Sequence, residues 1–582
     1  MSLLRLLLSR ALVVLVPLAV TSSLYLYLYP IFQGCAFPLP VNKNGRTPDA
    51  FSPAHSPLFH TLTQHIGQQP ASEPAVFRLL VLADPQLEGD SSLPSPDKEL
   101  SARIKQHWIS IRSSVTDSGS PFHRDVLRNV TAALRTLAHE DVPRSIKAAR
   151  KRLDLVGNDF YLAHIYRTLH WWSRPTHVTV LGDLIGSQWV TDEEFERRAD
   201  RYWNRVFRGG ERVSDDITVT GSPGYGAGSG DVYALEELNA TDSAWARRII
   251  NVAGNHDIGY AGDASEDRIE RFERIFGRAN WDIRFQHTLG NQAGGTADAT
   301  VKPTLHLINL NTLTLDGPAL SEQVQSNSYA FINDLITHRT YPVEDRTTFT
   351  LLLTHLPLHK KEGICTDGPF FTYHESDDED GPDGIPRFKE GGLREQNHLS
   401  EQLSAIGVLQ GIYGMSGDKG VPGGGWGRNG LILNGHDHTG CDVVHFINRS
   451  TTTDSGDNTN QQTWKWDARR YNEFPEDRSD TPSLREVTLR AMMGDYGGNA
   501  GLLSVWFDTN PAVNEWKYEI TMCKAGVQHI WWAIHGIDIV TILILLVYPL
   551  LPRTVGFERQ RQTTKPVSTK DLVTSTFRTL GL

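Results

Sequence analysis

Five short apolar runs along the chain each stop at a polar residue. They cover 80–84 ending at Asp84, 178–183 ending at Asp183, 249–255 ending at Asn255, 351–355 ending at His355 and 431–436 ending at His436. Runs of this length, rich in branched and leucine side chains, read as buried strands. Between them, over 160–172, 193–207 and 267–276, apolar positions recur at the period of an amphipathic helix. Strands alternating with helices predict an α/β class, a layered α/β sandwich. The stretches 376–384 (acidic), 417–430 (glycine-rich) and 450–462 (Ser, Thr, Asn and Asp) read as loops, and the glycine-rich one lacks a phosphate-loop pattern.

Two further segments have a different pattern. Residues 11–32 carry no charge, and 530–551 contain only His535 and Asp538 as strongly polar groups. About 20 apolar residues cross a bilayer, so both read as transmembrane helices. The first is longer than a signal-peptide core, and Tyr25, Tyr27 and Tyr29 form an interfacial aromatic belt, so it reads as an uncleaved anchor. Asp538 and His535 sit in the first half of the second span, where polar groups reach the hydrated interface. The expected organisation is a cytosolic N-terminus (1–10), a span (11–32), a linker (33–74), a large body (75–523), a second span (530–551) and a cytosolic tail (552–582). Arg5 and Arg10 precede the first span and Arg553, Arg559, Arg561 and Lys565 follow the second, which puts both ends in the cytosol. Asn129, Asn239 and Asn448 open three glycosylation sequons in the body, in keeping with that orientation.

Charge narrows the partners. With 57 basic and 68 acidic side chains the net charge is −11, which gives no electrostatic footing for nucleic acid. Four cysteines and no Cys-x-x-Cys pair exclude a disulfide-dense scaffold and a zinc ribbon.

The residues that end the strands share one chemistry. They are Asp84 and Gln86 in L-A-D-P-Q, Asp183 in V-L-G-D-L-I-G, Asn255 and His256 in A-G-N-H-D, His355 in L-L-T-H-L-P-L, and His436 and His438 in N-G-H-D-H. Strand ends of an α/β fold face one crevice. Carboxylate, amide and imidazole donors together suit Mn²⁺, Fe or Zn²⁺ better than Ca²⁺. Two such cations about 3.5–4 Å apart stabilise the attacking and leaving oxygens of an in-line displacement at phosphorus.

Each block alone is a weak signal; the five in this order resemble the calcineurin-like metallophosphoesterase superfamily. The resemblance implies two divalent cations, Mn²⁺ first among the candidates with Zn²⁺ or Fe as alternatives. Asp84, Gln86, Asp183 and His438 would hold the first, and Asn255, His355 and His436 the second, with Asp183 bridging. His256 would protonate the leaving oxygen, and Asp257 could orient it. Gln86 departs from the family, which usually has histidine there. A narrower resemblance, to the fungal members of an endoplasmic-reticulum branch, lies in the two spans and in several blocks. These are G-N-D-F-Y-L-A-H-I-Y-R from Gly157, the G-P-F-F stretch from Gly368, E-Q-N-H-L-S from Glu395, G-H-D-H-T-G-C-D and M-M-G-D-Y-G-G-N-A-G-L-L from Met492. That branch removes ethanolamine phosphate from mannoses of glycosylphosphatidylinositol (GPI) anchors.

The resemblance thus implies a membrane phosphodiesterase of the endoplasmic reticulum, with the early Golgi as an alternative and the body lumenal. GPI-anchored proteins or the GPI glycolipid would be its substrate, and cargo-export receptors possible partners. The alternatives are a phosphatase of a lipid, nucleotide or phosphoprotein, and a non-catalytic trafficking factor on the same fold. Asn158 and Asp159 read as a helix N-cap. Tyr161 and His164 then share a helix face, and with Asn158 are candidates for the substrate cleft. If His355 and His438 converge, the loops carrying Cys365 and Cys441 start close together, and a Cys365–Cys441 disulfide would brace the rim; both as buried free thiols is the alternative.

The charge bias makes a topological prediction. Protease added to sealed microsomes should leave residues 33–529 intact, and at least one of Asn129, Asn239 and Asn448 should carry glycan. Digestion of that body from outside would reverse the orientation.

Overall fold

The computed structural model describes residues 3–38, 76–89, 93–118, 124–222, 225, 234–238, 244–288, 302–339, 342–376, 386–452, 461–475, 481–494 and 496–552. Asn239 and most of the linker and the tail lie outside them. Ten strands position the site: β1 (Phe77–Leu82), β2 (His177–Val180), β3 (Arg248–Asn251), β4 (Thr304–Asn309), β5 (Thr348–Leu353), β6 (Asn429–Asn434), β7 (Cys441–Thr452), β8 (Ser483–Thr488), β9 (Gly497–Asp508) and β10 (Glu515–Val527). One sheet runs β10-β9-β1-β2-β3, with the short strand Glu211–Arg212 at its edge. The other runs from Gln461–Arg470 through β7-β8-β6-β5-β4 to Trp281–Gln286 and Leu235–Glu237. β1, β2 and β3 are mutually parallel, as are β4, β5, β6 and β8.

Side-chain alternation explains why the two sheets stack. Phe77, Leu79 and Val81 of β1 join Leu503 and Val505 of β9 on one side. They share a single core with Leu351 and Leu353 of β5 and Leu431 and Leu433 of β6. The opposite face of the second sheet, Ile308, Leu352, Ile432 and Leu484, buries a helix, Glu322–Thr337, through Phe331, Ile332 and Leu335. Both faces of the central strands are covered, so their sequences read as continuous apolar runs. The expected α/β sandwich with an apolar helix at each end is the observed architecture.

Two units are distinct by contact, residues 24–533 and the outer ends 1–23 with 534–582. α1 spans Leu3–Phe32, beginning before the expected boundary, and the C-terminal apolar helix spans Gln528–Val547. In the outer unit Arg5 Nη1 donates to the carbonyl of Leu551 at 3.1 Å, and Ser23 Oγ donates to Asp538 Oδ2 at 3.0 Å. Asp538 therefore has a partner on the other apolar helix.

α2 (Val142–Ser173) corrects one reading. It carries a proline in its first turn, so Asn158 and Asp159 lie in mid-helix and cap nothing. Asp159 is buried and tolerated there because α3 (Asp192–Arg201) and the turn after it bring cations to it. Arg201 Nε and Nη2 donate to its carboxylate at 2.8 and 2.6 Å, and Arg205 Nη1 donates at 2.7 Å. α3 starts at a Thr191 cap whose side chain accepts the Glu194 N–H.

Removing that carboxylate leaves two guanidinium groups facing a buried gap. Asp159→Ala should cost about 2–3 kcal/mol, toward the low side for a broken buried pair because both arginines are partly hydrated. A lowered unfolding midpoint of the full chain in detergent checks it; an unchanged midpoint would show the cluster to be neutral.

Candidate metal centre

The five predicted stops emerge from the C-terminal ends of β1, β2, β3, β5 and β6, and they converge. Asp84 and Gln86 follow β1, Asp183 follows β2, and Asn255 and His256 open a one-turn helix, α4 (Asn255–Ile258), after β3. His355 follows β5, and His436 and His438 follow β6. The convergence forces the backbone. Asp84, Gln86, Asp183 and His436 have φ of 49°, 41°, 51° and 71°, left-handed values that cost non-glycine residues of order 1–3 kcal/mol each. Glycine precedes three of these residues, Asp183, Asn255 and His436, for want of room. A Cβ on Gly182 would lie 2.3 Å from His355 Nδ1, and one on Gly254 would lie 2.0 Å from the Asp183 nitrogen.

Two donor groups result. Ligand atoms of Asp84, Asp183 and His438 lie within 4.8 Å of one another. The Gln86 carboxamide sits between the latter two, its Nε2 3.0 Å from Asp183 Oδ2 and 3.1 Å from His438 Nε2. A turn of that amide presents its oxygen instead. In the second group His355 Nε2 lies 2.9 Å, and His436 Nδ1 3.1 Å, from the same atom, Asn255 Oδ1. His355 Nδ1 donates to the carbonyl of Leu181 at 2.8 Å, and His436 Nε2 to that of Gln396 at 3.1 Å. Burial, with His355 nearby, lowers His436 to about 3, and burial lowers His355 as well. With their other nitrogens donating to carbonyls, the nitrogen of each ring that faces Asn255 is the one left with a lone pair when the ring is neutral. Three lone pairs aimed at one point is a cation's arrangement, and a backbone carbonyl behind each imidazole is how ligating histidines are oriented.

The carboxylates make the same demand. Asp84 is fully buried, its Oδ2 has no hydrogen-bond partner, and burial and Asp183 push it well above the usual carboxylate range. Burial would raise Asp183 also, but the imidazoles of His355, His256 and His436 outweigh it and hold Asp183 below that range. The donor set fits divalent cations: Asp84, Gln86, Asp183 and His438 on one side, and Asn255, His355 and His436 on the other, with Asp183 facing both. His256 Nε2 is 3.8 Å from Asp183 Oδ2, and its ring is 38% exposed. Its backbone N–H donates to Asp183 Oδ1 at 2.8 Å.

Asp257 does not orient His256. Its buried carboxylate accepts the backbone N–H groups of Gly254, Leu184 and Ile185 at 2.9, 3.1 and 2.8 Å, clamping one ligand loop to the other. Glu486 does the same beneath the second sheet. It accepts from Leu358 N at 2.7 Å, Asn434 Nδ2 at 2.6 Å and Lys360 Nζ at 2.7 Å, and pairs with His445. Those bonds hold the loops that carry His355 and His436.

The centre opens into a cavity of about 630 Å³ whose wall includes Trp189, Phe370, Arg387, Arg394 and Glu395. None was a candidate from sequence; only Phe370 and Glu395 fall in blocks singled out there. Asn158, Tyr161 and His164 do not line this cavity. Because α2 starts at Val142, they lie along its middle and meet other groups. Asn158 Oδ1 accepts from Gln528 Nε2 at 2.7 Å, Tyr161 packs edge-on to Trp531, and His164 packs edge-on to Tyr27. Cys365 and Cys441 are joined, Cα atoms 5.8 Å apart, and so are Cys35 and Cys523 at 5.2 Å. Asn129 is on a helix and half-buried, its Nδ2 2.7 Å from Ser114 Oγ; Asn448 lies on β7, half-buried, 3.5 Å from Asp467 Oδ2.

No family model matches the chain. Over 409 residues it is 33% identical to Protein TED1 of Saccharomyces cerevisiae, a stretch covering 66% of this chain and 75% of that protein. It is 25% identical over 419 residues to an uncharacterised Schizosaccharomyces pombe protein, covering 68% and 82%. Metallophosphoesterase 1 of Danio rerio is 22% identical over 307 residues, covering 50% and 60%. Together with the donor set, these similarities place the chain in the calcineurin-like metallophosphoesterase superfamily, in the branch of Protein TED1, as a membrane-associated phosphoesterase.

Proposed function

We propose that this chain is a phosphodiesterase that removes ethanolamine phosphate from a mannose of GPI anchors. It would act in the endoplasmic reticulum membrane with its body in the lumen, and so support maturation and export of GPI-anchored proteins. The observation that carries the reading is the cavity wall. Arg394 and the exposed Glu395 are neighbours on it, and the large rings of Trp189 and Phe370 stand 45% and 42% exposed nearby. A wall with a guanidinium, a carboxylate and open aromatic faces suits a group with both a phosphate and an ammonium. The same cavity is wide enough for sugar on the other side of the phosphorus. The apolar helices would keep the centre near lipid-borne substrate, and export receptors would meet the product at the same membrane.

The chain's own residues divide the chemistry. Bound divalent cations, with Mn²⁺ the first candidate, would neutralise charge developing on the phosphoryl oxygens. Asp183 holds its negative charge between the two donor groups. His256, at the cavity edge, carries a proton on Nε2 to the departing oxygen, with its backbone fixed on Asp183.

Purified full chain incubated with defined GPI glycans should release ethanolamine phosphate. Hydrolysis of a lipid, nucleotide or phosphoprotein ester with none of the glycan would replace this reading. Asp183→Asn should keep the fold but lose metal and nearly all activity; wild-type turnover would sink the two-cation assignment. His256→Ala should keep metal and lose about 10²–10⁴-fold in rate, most for poor leaving groups and least for activated aryl diesters. An equal loss across leaving groups would remove His256 from the proton-donor role.

A further inference from the structure

A second cavity, of about 380 Å³, lies beside His438 and is not part of the chamber above. At one end it is lined by His438 and Thr439, and at the other by Tyr29, from the last turn of α1. Its floor is the glycine run of the M-M-G-D-Y-G-G-N block. Gly498 packs so closely that an added Cβ would be 2.6 Å from Ile165 Cδ1 and 3.1 Å from Tyr161 Oη. The strand beneath the groove therefore lies directly on α2.

Two cations line this groove, Arg490 and Lys524, and both are exposed. Arg490 Nε donates to the carbonyl of Thr439 at 2.8 Å, which leaves the rest of its guanidinium fork for a ligand. Lys524 has no side-chain partner among the described residues, and no described carboxylate lines the groove. Its position is fixed all the same, because the neighbouring Cys523 is bonded to Cys35, just past α1. Tyr496 is 66% exposed at the groove and, with Tyr29, gives it the aromatic side chains typical of a membrane surface. A groove with one end at a membrane helix, the other at a metal-site histidine, and two exposed cations between them with no carboxylate among the described lining residues suits an anion carried on a lipid.

We propose that Arg490 and Lys524 form a subsite for the anionic phosphate head group of a membrane lipid, distinct from the phosphoester being hydrolysed. It rests on the reading that the substrate is lipid-borne. One phosphate would be held at the membrane surface while a second, farther along the same molecule, reaches the metal centre. Inorganic phosphate shares the chemistry and serves as the control.

The test uses the full chain in nonionic micelles, with phosphatidylinositol or phosphatidylcholine added and retained lipid read by native mass spectrometry. Phosphatidylinositol should be retained and phosphatidylcholine lost. Arg490→Gln with Lys524→Gln should lower retention about 25-fold, from roughly five-fold per cation near a membrane surface. Lys524→Arg should keep it. Should the double variant not fold, Lys524→Glu alone, at an exposed side chain, should still lower retention. Equal retention of both lipids, unchanged retention in folded variants, or displacement of the lipid by millimolar inorganic phosphate would overturn the subsite. Retention is read without turnover. Failure of the wild type to release ethanolamine phosphate therefore sinks the proposed substrate and leaves this measurement standing.

Discussion

Asp84 and Asp183 are two carboxylates buried within a few ångströms of each other, and much of the surrounding structure exists to hold them there. Neither has enough protein donors to stand alone. Asp84 keeps an oxygen with no partner, and Asp183, beyond the His256 N–H and the Gln86 amide, is faced by imidazoles. Holding them requires left-handed backbone at Asp84, Gln86, Asp183 and His436. Such conformations persist only where the surroundings over-determine them. Here the surroundings are specific: the three N–H groups gathered by Asp257, the loops tied down by Glu486, and glycines where a side chain would collide. Burial would raise Glu486, yet Lys360 and His445 hold it well below the usual range, so it remains an acceptor for those loops.

The same economy of position appears on α2. Its buried face supports β9 and β10, and the same helix also meets residues 27, 531 and 532 of the apolar helices. Trp172 Nε1 donates to the carbonyl of Tyr27 at 2.9 Å, and Gly157 is small because the Trp532 ring occupies the place of its Cβ. The Cys35–Cys523 bond closes a loop of 488 residues across the same region. One helix and one disulfide thus fix residues 24–38 and 523–533 to the body that carries the metal centre.

How much of this was legible depends on whether the signal was local. A strand that stops at Asp, Asn or His is visible in a handful of residues, so the positions that converge at the strand ends and the sandwich could be read from the chain. The fate of Asn158, Tyr161 and His164 could not. Which face of α2 meets the cleft depends on Tyr27 and Trp531, far away in sequence, and the apparent cap at Asn158–Asp159 dissolves only when Arg201 and Arg205 are seen beside it. The cavity wall was hidden for the same reason. Trp189 and Phe370 have no periodicity of their own and come together only in the folded chain.

Gln86 is where the local reading and the folded site must be taken together. Read alone, it is a missing histidine and an argument for a degenerate enzyme. In the structure its carboxamide occupies the ligand position between Asp183 and His438. It brings an oxygen donor in place of a ring nitrogen and has no proton to titrate near neutral pH. The first donor group becomes two carboxylates, an amide and one imidazole, while the second keeps two imidazoles and an amide. The two halves of the centre therefore differ in hardness, and the harder half shares His438 with the groove that leads to α1.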